Sequence, residues 1–268
     1  MSSSSETDIV KVLQENLGAE ITETTIQRPE RIYVKIKTAC HKRAISRLIT
    51  EGYALSAITG LDLGGNLELD YHLRHASRIL TIKMPVSIEN PATETITDIM
   101  PSATLFEREI HDLFGIDFKG HPNLERLELP DSWPSGEHPL RKNWVKSEQP
   151  IDYEPEPIEV ENSDGSINLV FGPQHPALHE SEMFLFKLNG EHVVDVKPRL
   201  GYCHRGIEKL SEQKTFLQDV YLTERICGIC NVAHSMCFCH AVEEIGGFEI
   251  PSRAKYLRSI LSELSRIH

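Results

Sequence analysis

The sequence of 268 residues has no long apolar run and no excess of positive charge. No stretch of 18 consecutive apolar residues occurs, although a membrane-spanning helix needs about that many, and the opening Met-Ser-Ser-Ser-Ser-Glu is not the start of a secretion signal. We therefore expect a chain that does not itself cross a membrane. Lysine and arginine total 28 against 40 acidic residues, a formal net charge of −12. This balance argues against nucleic acid as a partner, because phosphate binding needs a basic face.

The cysteines are few and unevenly placed. Six occur in the chain, and five of them lie between residues 203 and 239. Because no secretion signal is present, a reducing compartment and a metal-binding role are favoured over a disulfide framework. Cys40 stands apart, and we expect it to be a small buried side chain.

The segment Thr-Glu-Arg-Ile-Cys-Gly-Ile-Cys-Asn-Val-Ala-His, residues 223–234, carries the most chemical information. Cys227 and Cys230 are three residues apart, so a helical turn or a tight loop would bring both sulfurs to one side. His234 follows four residues later, and on a helix all three side chains would share roughly one face. Clustered thiolates suit zinc, iron–sulfur centres or nickel, and a C-x-x-C pair alone does not choose among them.

With its flanking residues the string R-I-C-G-I-C-x-x-x-H resembles the first metal-binding motif of nickel–iron hydrogenase large subunits. Upstream, Gly-Tyr-Cys-His-Arg-Gly-Ile-Glu-Lys-Leu, residues 201–210, resembles the R-G-x-E motif of the same family. The resemblance implies that Glu208 is a proton relay beside the metal. A carboxylate there can exchange protons, and burial would bring its pKa nearer the working pH. Without the cysteine motif, Arg205 and Glu208 would be interpreted as a surface helix pair.

The same resemblance implies the ligand set. Cys227 would be a terminal nickel ligand and Cys230 would bridge nickel and iron, whose remaining ligands are small diatomic molecules. His234 would donate a hydrogen bond to the bridging sulfur, and Arg225 would place positive charge near the ligands of iron. The family uses four thiolates from two C-x-x-C pairs, and the second pair is absent from this sequence. We therefore expect half of the ligands here, in the front part of a longer large subunit.

A second resemblance lies in the N-terminal part. Apolar spacing predicts helices over 8–17, 41–51 and 104–115, and strands over 31–37, 53–60, 67–73 and 78–84, which together indicate an α+β sandwich with a mixed sheet. Three strings, over 106–116, 120–124 and 139–142, resemble the signature of the thirty-kilodalton subunit of respiratory complex I. That domain binds no cofactor in its family, so we expect Glu107, Glu109 and Asp112 to be structural or docking residues.

Composition divides the chain into three parts. We predict a domain like the thirty-kilodalton subunit of complex I over 1–145, an acidic, proline-rich linker over 146–166, and a truncated hydrogenase-like domain over 167–268. The last part should open with a strand at 167–171 and a β-hairpin at 183–196, and continue with helices at 207–225, 231–246 and beyond Pro251. Residues 172–179 resemble the start of the domain that hydrogenases share with the forty-nine-kilodalton subunit of complex I.

The two halves together resemble the large subunit of group 4, energy-converting hydrogenases of the formate hydrogenlyase type. The resemblance implies a catalytic subunit, or an N-terminal fragment of one, that couples electron transfer to proton reduction or H2 oxidation. It also implies an iron–sulfur small subunit like the twenty-kilodalton subunit of complex I, iron–sulfur clusters in partner subunits, and other peripheral and membrane subunits. The chain would then be cytoplasmic and peripheral on the inner face of the cell membrane.

Two alternatives remain open at this point. One is a non-catalytic electron-transfer or assembly subunit of a complex I-like NADH:quinone oxidoreductase. The other is a zinc-binding structural module that uses Cys227 and Cys230 with two of a further set of side chains: His234, Cys237, Cys239 and His240. Cys237 and Cys239 would point to different faces of a helix, which counts against the zinc module. Nickel with iron, stoichiometric zinc, or no metal would discriminate among the three.

Overall fold

The computed structural model describes residues 6–28, 30–37, 40–146 and 164–267. The chain divides into two compact units, Met1–Cys203 and His204–His268. The first unit contains helices α1 (Glu6–Leu17), α2 (His41–Thr50) and α3 (Ala103–Phe114). Its strands are β1 (Ile21–Arg28), β2 (Arg31–Ile36), β3 (Ala54–Asp62), β4 (Leu67–His75), β5 (Arg78–Val86), β6 (Ala92–Glu94), β7 (Asp117–Lys119), β8 (Ile167–Phe171), β9 (Met183–Asn189) and β10 (His192–Arg199).

A five-stranded mixed sheet organises the N-terminal part, in the order β1-β2-β5-β4-β3. The β2–β5 pair is parallel and the other pairs are antiparallel. In β2, buried Ile32, Val34 and Ile36 alternate with half-buried polar residues, which is the period of a strand with one face on the core. The predicted α+β class with a mixed sheet is therefore confirmed.

One face of this sheet packs against the helices. Leu67, Leu69, Tyr71 and Leu73 of β4 are fully buried and belong to one apolar core with α1, α2 and α3. The intervening positions of β4 are polar or charged and lie on the opposite face. There the buried Glu68 pairs with Lys35 and Lys83, and buried charges of this kind need such partners.

Two side chains of α3 hold the loop of residues 125–129, which follows the second signature string. The Asp112 carboxylate accepts three backbone N–H bonds, at 2.9 to 3.1 Å, from residues 127, 128 and 129. Arg108 donates to the carbonyl oxygens of Glu125 (2.9 Å) and Arg126 (2.8 Å). Both side chains are buried, so the charged groups replace lost water with backbone partners. These contacts give Asp112 the structural role that the sequence predicted.

The last of the three signature strings closes over the end of α3. Leu140 N–H donates to the carbonyl oxygen of Leu113 (3.1 Å), and the Arg141 guanidinium donates to that of Phe114. Gly115 ends the helix in the left-handed conformation, with φ of 70°. The His138 ring lies against Gly115 and bonds to the carbonyl oxygen of Asp112 (2.9 Å), so the residues just before the last string are also held against α3.

The first unit also contains the strands that follow the predicted linker. Strands β8, β9 and β10 form an antiparallel three-stranded sheet, with the β9–β10 hairpin at the predicted place. Residues 147–163 lie outside the described residues, so the linker over 146–166 and its boundaries stay predictions. The described chain nevertheless connects Leu200 and Gly201 by hydrogen bonds to Leu127, on the other side of that segment.

The second unit is helical. It contains α4 (Ile207–Ser211), α5 (Phe216–Glu224), α6 (Asn231–Gly246) and α7 (Ser252–Ile267). The predicted single helix over 207–225 is wrong, because Thr215 is extended and caps a new helix together with Gln218. Within the ranges that the structure describes, none of the helices is both long enough and apolar enough to cross a bilayer.

Candidate functional site

The turn between α5 and α6, residues 225–230, carries both cysteines of the C-x-x-C motif and is called the cysteine turn below. Helix α5 ends at Glu224 and α6 begins at Asn231, so the chain between them is not helical. The predicted sharing of one helix face by Cys227, Cys230 and His234 is therefore wrong for Cys227. The alternative of a tight loop holds, because α5 has ended before this residue.

Inside the turn the two cysteines are linked by a hydrogen bond. The backbone N–H of Cys230 points at Sγ of Cys227, at 3.4 Å. Cys227 is half-buried and Cys230 is exposed, and Cys230 is also the residue that precedes α6. An N–H donor and the N-terminal end of a helix both favour a thiolate over a thiol, and the thiolate is the form that binds metals.

Arg205 joins the two hydrogenase-like motifs. Its guanidinium donates to the carbonyl oxygen of Arg225 at 2.8 Å and to that of Ile226 at 2.9 Å. These carbonyl groups come directly before Cys227, in the turn where α5 has ended and its last carbonyls need partners. The R-G-x-E string and the R-I-C-x-x-C string therefore meet in the fold, although Arg205 and Arg225 are 20 residues apart in sequence.

Sequence reasoning missed this role of Arg205, which it weighed only as a helix partner of Glu208. The available signal was the fork of the guanidinium, which suits two neighbouring carbonyl oxygens. Gly206 follows with φ of 64° and turns the chain into α4. Only glycine adopts that conformation at little cost, so the turn from Arg205 to Glu208 depends on it.

Glu208 lies in the first turn of α4 and is exposed. The sequence analysis considered a buried carboxyl group at this position, whereas the Glu208 side chain is exposed in the fold. Its role as a proton relay stays a prediction. The fold adds that Arg205, three residues before Glu208, donates hydrogen bonds to the backbone of the cysteine turn.

Arg225 and His234 flank the turn. The exposed Arg225 donates to the carbonyl oxygen of Tyr221 (3.1 Å) and to Oε2 of Glu224 (2.7 Å). Both hydrogen bonds of its guanidinium therefore go to residues of α5, the helix that it follows. His234 is half-buried in the first turn of α6, where its backbone N–H donates to the carbonyl oxygen of Cys230 (3.3 Å). The predicted roles of both side chains toward a metal stay predictions.

The described residues do not contain a complete metal site. In the described ranges, no group of three or more histidine, cysteine or acidic side chains is close enough to hold a metal ion. Cys237 and Cys239 lie further along α6, one exposed and one half-buried. In the nickel–iron centre that the resemblance implies, Cys227 and Cys230 would supply two of the four thiolates.

Two protein families match separate parts of the chain. Residues 34–150 match the family described as respiratory-chain NADH dehydrogenase, 30 Kd subunit. Residues 205–268 match the family described as nickel-dependent hydrogenase, and this region contains Arg205, Glu208 and the cysteine turn.

Individual relatives extend over most of the chain. Hydrogenase-4 component G of Escherichia coli (strain K12) is 39% identical over 195 residues, covering 70% of this chain and 35% of the relative. The C/D subunit of NADH-quinone oxidoreductase from Pseudomonas fluorescens (strain SBW25) is 32% identical over 230 residues, covering 78% of this chain and 38% of the relative. A solved fragment of Nqo5 is 27% identical and covers 43% of this chain and 98% of its own, with a TM-score of 0.38.

The chain thus spans little more than a third of the length of these two curated relatives. Both family matches agree with the motifs from which the resemblance was drawn, in the same order along the chain. The chain therefore joins a region that matches the thirty-kilodalton complex I family to a region that matches the nickel-dependent hydrogenase family, and these matches bear out its resemblance to group 4 hydrogenase large subunits.

Proposed function

We propose that this chain contributes two thiolates and a proton-transferring carboxylate to the nickel–iron centre of an energy-converting hydrogenase. The observation that carries the proposal is the pair of hydrogen bonds from Arg205 to the carbonyl groups of Arg225 and Ile226. They bring the stretch of sequence that contains Glu208 to the turn that contains Cys227 and Cys230. A proton acceptor and two soft metal ligands are parts that heterolytic cleavage of H2 requires.

Each residue has a defined task in this proposal. Cys227 and Cys230 would hold the metals as thiolates, and the N–H of Cys230 would help to keep Cys227 deprotonated. When bound, the metal centre supplies the polarisation of H2. Glu208 would take up the proton and pass it to solvent, for which its exposed position is suited. Arg205 would keep the motif of Glu208 beside the cysteine turn.

The partners and location are drawn from the relatives and stay part of the proposal. Hydrogenase-4 component G and the C/D subunit of NADH-quinone oxidoreductase are by name parts of larger oxidoreductases. We therefore propose that the chain works with an iron–sulfur small subunit and with membrane subunits, on the cytoplasmic face of the membrane. The other two thiolates of the centre would come from a C-x-x-C pair outside this sequence.

The test uses the assembled complex isolated from its source cells. Glu208→Gln keeps the size and the hydrogen-bonding atoms of the side chain but removes the titrating group. H2 turnover and H/D exchange should fall by at least 100-fold, while nickel and iron stay at the wild-type level. Glu249→Gln changes another exposed glutamate of the same unit and should leave both rates unchanged. Wild-type exchange in Glu208→Gln would show that the proton takes another route.

Cysteine variants test metal binding separately. Cys230→Ser should remove nickel and activity together, since an alcohol is a poor ligand for these soft metals. Cys237→Ser changes an exposed cysteine outside the motif and should retain both. A Cys230→Ser complex with full nickel content and hydrogenase activity would contradict the assignment.

The strongest competing function is that of a non-catalytic subunit in a complex I-like machine. The NADH-quinone oxidoreductase relative covers 78% of this chain, which favours that interpretation. Cys227 and Cys230 favour the hydrogenase, because relatives in complex I lack the metal cysteines according to the resemblance. Metal analysis of the isolated complex separates the two: nickel with iron in this subunit indicates the hydrogenase, and their absence indicates the alternative.

A further inference from the structure

The loop of residues 125–129 forms hydrogen bonds with two separate parts of the chain, α3 and the end of β10. Its N–H groups point to α3. Residues 127, 128 and 129 donate to Asp112 of α3, which is buried. Arg108, one helical turn earlier, holds the carbonyl groups of Glu125 and Arg126. Helix α3 therefore fixes this loop as a rigid template.

The carbonyl groups of the loop also meet the end of β10. The carbonyl oxygen of Arg126 also accepts from the Arg199 guanidinium, at 3.0 Å. The carbonyl oxygen of Leu127 accepts from the backbone N–H groups of Leu200 (3.3 Å) and Gly201 (3.2 Å). Arg199 in addition forms an ion pair with Asp131. These contacts join distant parts of the chain, which lie on opposite sides of the 147–163 segment.

Gly201 shows how closely the segment after β10 approaches the loop of residues 125–129. A Cβ atom at this position would lie well inside 3.0 Å of the carbonyl oxygen of Glu128, closer than real Cβ atoms come to another atom. The obstacle is backbone and is held from behind by Asp112, so it cannot move aside as a flexible side chain would. The φ angle of Gly201 is not in the left-handed region, and space is therefore the reason for glycine here.

The exposure of β10 shows that the contact is confined to one end. Residues from His192 to Lys197 are exposed, and only Pro198 and Arg199 at the end of the strand are half-buried. Within β10, the contact with the N-terminal domain therefore involves the last residues of the strand.

We propose that residues 125–129 form an intramolecular docking surface that binds the Arg199–Gly201 segment, and that this surface holds the β8–β10 sheet on the N-terminal domain without help from the covalent linker. The surface recognises mainly backbone groups of this segment. The segment offers two consecutive N–H donors, an arginine before them, and a glycine at the point where it comes closest to the loop. This inference does not rest on the proposed hydrogenase activity, because it concerns association alone.

Cleavage of the full-length chain tests the proposal. A specific protease site placed within residues 147–163 allows the folded chain to be cut after purification. The two fragments should continue to elute together in size-exclusion chromatography at low micromolar concentration. Separate elution of the wild-type fragments under native conditions would overturn the proposal.

A matched pair of glycine variants tests the surface itself. Gly201→Ala introduces the methyl group that collides with Glu128, and the cut fragments should dissociate with a Kd raised at least tenfold. Gly65→Ala adds the same methyl group where no atom lies within 4 Å and φ is not positive, so its fragments should stay associated. Equal Kd values for the two variants would overturn the assignment of this surface.

A second variant covers the case in which Gly201→Ala does not fold. Arg199→Gln removes the guanidinium donor to Arg126 and the charged partner of Asp131 but introduces no clash. It should raise the Kd of the cut fragments by at least threefold relative to Gly65→Ala, with the circular dichroism of the uncut chain unchanged. No change in Kd for Arg199→Gln would again contradict the proposal.

Discussion

Among single residues, the buried Glu107 makes the stability of the fold depend on pH. This residue of α3 is fully buried and accepts hydrogen bonds from the backbone N–H of Ile96 (2.9 Å) and from the Thr95 hydroxyl. Burial raises the pKa of Glu107 to about 7, against the opposing effect of these two donors. The folded state therefore holds its proton more tightly than the unfolded chain does.

The consequence for stability has a definite sign. Below about pH 4.5 the group is protonated in the folded and in the unfolded chain. Between that pH and about 7 the folded state keeps a proton that the unfolded chain releases, so the free energy of unfolding should fall as pH rises. The slope from this group is at most about 1.4 kcal/mol per pH unit, and it disappears above about pH 7.

Glu107→Gln tests this expectation. The amide can still accept from Ile96 and can donate to Thr95, but it does not titrate. Denaturant unfolding of the variant at pH 5, 6, 7 and 8 should show a flatter pH profile, with higher stability than wild type at pH 8. Glu94→Gln, at an exposed position, should keep the wild-type profile. Parallel profiles for wild type and Glu107→Gln would contradict the raised pKa.

At the level of elements, the end of α3 depends on Gly115. The residue is left-handed, with φ of 70°, and an added Cβ would lie inside 3.0 Å of the His138 ring. Gly136 has a similar φ of 79° but open space around it. A comparison of the two glycines therefore separates backbone strain from the clash.

Gly115→Ala should be the more destabilising of the two substitutions. Both variants carry the left-handed penalty of about 1–2 kcal/mol. Gly115→Ala must in addition displace His138 from the carbonyl oxygen of Asp112, at a further cost of about 1–3 kcal/mol. Chemical denaturation of the two variants measures the difference. Equal losses would mean that His138 moves aside freely.

The strands also show where a local sequence pattern was sufficient to predict an element and where it was not. Strands β2, β4 and β5 were predicted because apolar residues alternate along them and fill the core. Strand β1 was missed because Ile-Thr-Glu-Thr-Thr-Ile-Gln-Arg has no fully buried residue. It is a strand through its antiparallel hydrogen bonds to β2, which an edge position allows without an apolar face.

In the molecule as a whole, the second unit leaves apolar residues exposed. The predicted stripe of α7 is present, and each of its members is at least half exposed: Leu257, Ile260, Leu261, Leu264 and Ile267. The cysteine turn is likewise accessible, with Cys230 exposed. A metal centre with four thiolates needs further protein around this turn.

We therefore expect a polypeptide of this sequence, purified alone, to keep less than stoichiometric nickel after desalting. Two thiolates neither fix the geometry of the site nor balance the metal charge. Elemental analysis measures the nickel content, with a Cys227→Ser/Cys230→Ser double variant to show the background from the other cysteines. Stoichiometric nickel that depends on the two cysteines would contradict the requirement for a second pair.

Several features could be recognised from the amino-acid sequence alone: the family, the mixed sheet, and the motifs that contain Glu208, Cys227 and Cys230. These features are local. An apolar alternation or a short motif is visible in neighbouring residues, without knowledge of distant ones.

The meeting of distant segments became visible only in the folded chain. Arg205 donates to the carbonyl groups of Arg225 and Ile226, and the loop 125–129 bonds both to Asp112 and to Gly201. The physical reason is that backbone groups left without partners in a turn or loop must find them wherever the fold brings a donor or an acceptor close. No local pattern in the sequence records which distant residue that will be.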